Sequence, residues 1–282
     1  MDAKEYLIRK KKNIDRALSL FLDEGSSPVY EAMRYAVLNG GKRFRPLLLI
    51  SSGEYFGATE DLLMPYACSI EFIHSYSLIH DDLPMMDNDD FRRGKPSCHK
   101  KFGEALALLA GDALLSLAFE VIANSPLPES GPQIKSLIIG ELARAIGPSG
   151  MIEGQWRDIT FNPQKANQTD YQEIALKKTA NLIRVSALIG ARLAGAGLPA
   201  LNSLEQYGTY LGLAFQLWDD LQDLGLDKPQ PDFFRPNLAQ YLGKDKASKL
   251  LSELREKARR SLKSAGINSN LLEYFADQLK FE

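Results

Sequence analysis

The chain has 282 residues, 45% of them hydrophobic and 25% charged, with a formal net charge of −2. This ordinary globular composition excludes a general attraction to nucleic acid or to anionic membranes. Its two cysteines, Cys68 and Cys98, lack zinc spacing and cannot build a disulfide framework, so a reducing cytoplasm is expected, with no signal-peptide core and no run of about 18 apolar residues to span a membrane.

In chain order, the basic stretch RKKKNIDR near the start is flanked by acidic residues and reads as the solvated face of a first helix. Turn signals follow at 25–28, 123–132, 146–150, 161–168, 194–199, 226–237 and 264–270. Helix starts are expected at Ser27-Pro28, Thr59, Thr169 and Asn202, where a capping side chain precedes a periodic run. Between these signals the apolar residues recur at helical spacing with almost no alternation. The expectation is about ten to twelve helices, no confident strand, and a single all-α domain over 1–282.

Two carboxylate clusters interrupt this pattern. The first, IHDDLPMMDNDDFRRGK, spans Ile79 to Lys95. It is either a solvated acidic loop or a cation site, since like charges so close repel. Pro84 breaks a helix, so the expected picture is a helix ending near Leu83 and a loop curling Asp87 back toward Asp81. His74 lies on the Asp81 stripe two turns earlier, as a core histidine or a ligand contact. The second cluster is FQLWDDLQD. Each helical residue advances about 100°, so Asp219 and Asp223 are roughly 40° apart. Gln216, Phe215, Gly212 and Gly208 lie on or beside that face, and the glycines imply either close helix packing or a cavity wall kept open.

Each cluster alone could be a solvated helix end. Two of them, each closing an apolar helix, suggest diphosphate carried on Mg²⁺, which takes one or two carboxylates and substrate phosphates. Positive counterparts are present: Lys42, Arg43 and Arg45 after Gly40-Gly41, without P-loop spacing; Arg92 and Arg93, with forks suited to phosphate; and Lys177, Lys178, Thr179 and Arg184 in LKKTANLIR. Two positive and two acidic sets imply two diphosphates, one of them metal-bound.

Taken together, GGKRFRP, HSYSLIHDDLPMMDNDDFRRGKPSCH, LAGDALL, GMIEGQWRDI, KKTANLIR and LAFQLWDDLQD, between about Tyr30 and Gly225, resemble the trans-isoprenyl diphosphate synthases, and within them the bacterial farnesyl diphosphate synthase (geranyltranstransferase) group. The resemblance implies an isoprenoid synthase-type helical bundle around a deep central cavity, working as a homodimer. It implies three Mg²⁺ ions on Asp81, Asp87 and Asp219, with Asp82, Asp158, Asp220 and Asp223 acting through waters or neighbouring groups. By the same resemblance Lys42, Arg45, His74 and Arg93 match the isopentenyl diphosphate pocket, and Arg92, Lys178, Thr179 and Gln216 match contacts to the allylic substrate. Lys178, Thr179 and Gln216 are also placed to steady an allylic cation. The implied reaction is ionisation of the allylic diphosphate, attack by isopentenyl diphosphate and loss of a proton, with the released diphosphate as base. Tyr76, five residues or about 7.5 Å before Asp81, is expected to floor the product pocket at C15.

Two departures from that pattern stand out. Ala180 replaces a glycine after Lys178-Thr179, which puts the presentation of the Thr179 carbonyl in question. The segment after Leu224 is proline-rich where a Gly- and Lys-rich lid is the rule, leaving Lys228 or Arg235 as replacements, with Arg235 nearer in register. Rival readings are a geranylgeranyl diphosphate synthase, a terpene cyclase and a non-catalytic subunit modulating a partner synthase.

Overall fold

The computed structural model describes residues 2–23, 25–126, 131–224 and 235–281. Among them are twelve α-helices of eight residues or more and two single-turn helices of five residues: α1 (Ala3–Leu22), α2 (Pro28–Leu38), α3 (Phe44–Tyr55), α4 (Glu60–Asp81), α5 (Cys98–Phe102), α6 (Glu104–Asn124), α7 (Pro132–Ile146), α8 (Met151–Ile159), α9 (Gln168–Ala175), α10 (Asn181–Leu193), α11 (Leu198–Gln222), α12 (Leu238–Leu242), α13 (Lys244–Ser264) and α14 (Asn270–Asp277). A π-helical turn, Leu176–Ala180, joins α9 to α10 without a break. The all-α class expected from periodicity is what the chain adopts.

The helices pack in the order α6–α4–α3–α10–α11–α13. One continuous apolar core runs from Ile14 on α1 to Leu279, with Tyr66, Phe72 and Tyr207 fully buried. α4 begins as its sequence dictates: Thr59 Oγ1 accepts from Leu62 N, and Glu60 and Asp61 meet the positive end of the helix. It ends at Asp81, two residues before the expected Leu83, because Asp82 caps it and Pro84 cannot continue it.

The α2 and α4 starts fall where expected. α9 is capped two residues before Thr169, by Asn167, which forms a reciprocal capping box with Asp170. α11 begins at Leu198, leaving Asn202 inside it; Pro199 in its first turn, where no amide hydrogen is needed, starts the helix earlier. The expectation of no strand also needs correcting. Phe91–Arg92 (β1) pairs with Lys95–Pro96 (β2) across a two-residue turn, Arg93 and Gly94, both with positive φ, the geometry a right-twisted hairpin favours.

Lys10 in the basic stretch is not solvated: it is buried and paired with Glu54 and Glu60. One stretch, α6, does prove long and apolar enough to cross a membrane by length and composition. It nevertheless carries Asp112 and Glu120 and packs against α4 and α2.

Candidate active site

α4 and α11 wall a cavity of about 1660 Å³, with α3, α8, the π-turn and the start of α12 completing it. Lys42, Arg45, His74, Tyr76, Asp81, Asp87, Arg92, Arg93, Lys178, Thr179, Gln216, Asp219 and Arg235 all border it. These thirteen residues are thus brought to one cavity, whereas Asp82, Lys177 and Arg184 do not border it. Met86, Met151, Ile159, Leu182 and Phe215 supply apolar wall.

The loop after α4 does what its proline requires. Asp87 N donates to Asp81 O at 2.8 Å, and Leu83 O accepts from Met86 N and Asn88 N, so Asp87 is folded back over the helix end. Burial, with Asp87 and Asp158 adding to it, pushes the Asp81 carboxyl up to about 7 against the pull of Lys178; Asp87 is raised by burial too. Lys178 Nζ sits 2.6 Å from Asp158 Oδ2. Burial works against its ammonium, but Asp158, Asp81 and Asp87 outweigh that and hold it above the usual lysine range.

The hairpin aims two arginines in different directions. Arg92 Nε donates to Asp82 Oδ1 at 3.0 Å, and its Nη2 reaches Asp89 at 3.1 Å. Arg93 Nη1 donates to Gly40 O. Gly41 is favoured there by its φ of +121°, a backbone conformation that side chains rarely adopt, and the Arg93 guanidinium carbon lies 2.8 Å from where a Cβ would stand. Three non-glycine residues in this region, Arg43, Asn88 and Arg93, hold left-handed backbone, which concentrates strain around the site.

Of the cluster Lys42, Arg43 and Arg45, the middle residue is a structural tie. Its guanidinium bonds Asp15 at 2.7 Å, Glu71 at 2.6 Å and Val37 O at 2.7 Å, with its side chain and that of Glu71 almost wholly enclosed. Lys42 rests over the Trp218 ring, 4.5 Å from its centroid. Arg45 is buried with Nε unpartnered among the described residues, and burial lowers it to about 10 despite Glu71 and Asp219. Burial, together with Arg45 and Arg93, drives His74 well below its usual range, so it borders the cavity as neutral imidazole.

Across the π-turn and α11, Thr179 Oγ1 donates to Gln216 Oε1 at 2.6 Å, and Gln216 Nε2 donates to Asp220 Oδ1 at 2.9 Å. Asp220 Oδ2 accepts from Leu238 N, and its carbonyl accepts from Asn237 Nδ2. Asp220 therefore ties α11 to α12. Asp219 opens to the cavity, yet the surrounding walls raise its pKa against Lys42 and Arg45. Gly208 and Gly212 do not line the cavity; of the two explanations, close packing holds. A Cβ on Gly208 would lie 2.6 Å from Arg184 Cα, and one on Gly212 2.5 Å from Ala180 Cα. The π-turn that holds Thr179 forms without a glycine, and the space for the Ala180 methyl comes from Gly212.

Arg235 Nη2 donates to Asp89 Oδ1 at 3.0 Å and Asp87 O at 3.2 Å, placing it beside the first acidic cluster. Lys228 lies outside the described residues.

The donor set fits Mg²⁺. It is all carboxylate oxygen, and Asp87 Oδ1 is buried without a partner among the described residues. Among those residues no three His, Cys, Asp or Glu side chains gather closely enough to hold a metal ion by themselves.

Residue-by-residue reading of the sequence missed Gln155, which borders the cavity with both amide atoms buried and unpartnered among the described residues. Its spacing from Met151 and Asp158, four and three residues along α8, was the available signal. It also missed His80, which borders the same cavity.

Comparison with known proteins agrees with this geometry. Farnesyl diphosphate synthase of Geobacillus stearothermophilus is 38% identical over 287 residues, covering 98% of this chain and 97% of that protein. A chloroplastic geranylgeranyl pyrophosphate synthase of Catharanthus roseus is 44% identical over 225 residues, covering 79% of this chain and 63% of that one. The crystal structure of an FPP/GFPP synthase from Zymomonas mobilis, in its apo form, superposes with a TM-score of 0.89 at 33% identity over 98% of each chain. Residues 26–231 match the family described as Polyprenyl synthetase, and the chain belongs to that family.

Proposed function

We propose that the chain condenses isopentenyl diphosphate with dimethylallyl or geranyl diphosphate and stops at (2E,6E)-farnesyl diphosphate. The observation that carries this reading is a single cavity with Asp81 and Asp87 at one helix end, Asp219 at another, buried cations around them, and apolar residues and Tyr76 in its lining. Asp81, Asp87 and Asp219 would hold Mg²⁺, three ions in all, which when bound neutralises the departing diphosphate as a Lewis acid.

The chain's own groups do the rest. Arg92, Lys178 and Arg235 meet the allylic diphosphate, with Lys178 kept protonated by its aspartates. Lys42, Arg45, His74 and Arg93 take isopentenyl diphosphate, and neutral His74 donates one N–H without adding charge. The Thr179–Gln216 bond, anchored on Asp220, turns the threonine oxygen lone pairs and the amide dipole toward the allylic carbon. The allylic C–O bond breaks, the isopentenyl double bond attacks C1, and the proton lost from the new cation goes to the released diphosphate. The apolar wall keeps water from the cation.

The single prenyltransferase domain over 1–282 acts in the cytoplasm as a homodimer. Its two unpaired cysteines suit a reducing compartment, and the exposed Leu108 and Leu109 on α6 give a second copy something to cover. Its partners are the two diphosphate substrates, not nucleic acid or membrane. The competing reading is a C20 synthase, supported by the Catharanthus roseus relative. Purified protein with Mg²⁺, isopentenyl diphosphate and geranyl diphosphate decides between them by product chromatography: C15 is expected, C20 supports the competitor, and no product leaves only a modulating subunit.

A further inference from the structure

We propose that His80 is a positioning residue for product length, seated between Gly111 of α6 and Tyr76 so that its imidazole holds the Tyr76 ring across the cavity. This rests on the reading of Tyr76 as the pocket floor and extends it to two residues that the reaction itself does not use.

Tyr76 is nearly enclosed, at 6% exposure, and its hydroxyl is buried without a hydrogen-bond partner among the described residues. No polar contact therefore fixes the ring; packing does. His80 is four residues on, hence on the same face of α4, with the two rings edge to face at a centroid distance of 5.7 Å. His80 is itself anchored, with Nε2 3.1 Å from Leu108 O and 3.8 Å from Asp112 Oδ1. The anchoring depends on Gly111. A Cβ there would lie 2.5 Å from His80 Cδ2 and closer still to Nε2. Glycine lets the imidazole lie flat on α6; a side chain would push it off the helix toward Tyr76 and the cavity, both of which it adjoins.

The test is the product distribution of Tyr76→Ala, His80→Ala, His80→Phe and Gly111→Ala enzymes, with thermal melting as a check on folding. His80→Ala gives the tyrosine room to swing back, so C20 should become the main product. His80→Phe keeps a ring in place and should restore C15, a rescue that general destabilisation would not produce. Gly111→Ala should shift product toward C10. If that variant fails to fold, Gly111→Ala/His80→Ala removes the clash and should make C20. A His80→Ala enzyme that still stops at C15 while Tyr76→Ala lengthens the product overturns the role of His80 and leaves the floor intact. A Tyr76→Ala enzyme that still stops at C15 overturns the floor, and the role of His80 falls with it. His80→Phe lengthening as much as His80→Ala also overturns the proposal.

Discussion

The two acidic helix ends carry similar sequence and are built differently. At the α4 end the carboxylates are already answered by cations of the chain: Asp81 and Asp87 by Lys178, Asp82 by Arg92, Asp89 by Arg92 and Arg235. At the α11 end the roles divide. Asp219 opens to the cavity opposite Lys42 and Arg45, while Asp220, one residue or about 100° round the helix, turns inward and fastens α12. The cause is local. Pro84 breaks the first helix, so the chain returns its later aspartates to the same spot; α11 runs on through Gln222 and sorts its aspartates by face. The lesson is that one motif type can be a cradle of carboxylates met by the chain's own cations in one place and half cavity wall, half structural bolt in another.

Four measurements break or sharpen this contrast. The largest effect is expected from Asp81→Ala and Asp219→Ala, each lowering kcat by roughly 10²–10³-fold, the usual loss when a charge-stabilising group is removed; unchanged turnover in both would end the idea of paired ends. Asp220→Ala should behave as a stability variant, since it orphans the Leu238 amide and the Gln216 side chain. About 1–3 kcal/mol is expected, read as a lower melting temperature in the absence of substrate, whereas Asp219→Ala should barely move it. A third test uses pH. Asp81 and Asp220 are each raised from 3.8 to about 7, so between those values the folded chain binds more protons than the unfolded one, and stability falls as pH rises from about 4 to 7. Without Mg²⁺, melting should be a few degrees higher at pH 5 than at pH 7.5, and Asp81→Asn should flatten the slope. The smallest effect belongs to Arg235→Ala. Its half-exposed ion pair contributes about 0.2–1 kcal/mol to stability, so melting should hardly change, while KM for the allylic diphosphate should rise. An unchanged KM would remove Arg235 from the site.

Much of this was legible because it is local. Helical periodicity gave the all-α class, and Pro84 gave the return of Asp87 to Asp81. What could not be read was any question settled by a distant neighbour. Gly208 and Gly212 cannot reveal from their own segment whether they touch helix or void; the answer lies on Arg184 and Ala180. Lys10 looks solvated until Glu54 and Glu60 fold over it. Arg43 resembles Lys42 and Arg45 in sequence, yet Glu71 and Asp15 claim it. Gly111 sits within a family signature, but its purpose shows only when the His80 ring lies against it.

The π-turn at Leu176–Ala180 has a consequence for how this chain tolerates indels. It lets two incompatible phases coexist in one continuous rod: upstream and within the turn, Lys178 and Thr179 look into the cavity, while downstream Gly190 presses against the backbone of α3 at Leu49 and Gly53. A π-turn holds one residue more than an α-turn, so deleting a single residue there would rewind the rod as plain α-helix and leave α10 in nearly the same phase on α3. The same deletion inside α10 would rotate everything beyond it by about 100°, so this bend should accept the loss of one residue better than the regular helix that follows it.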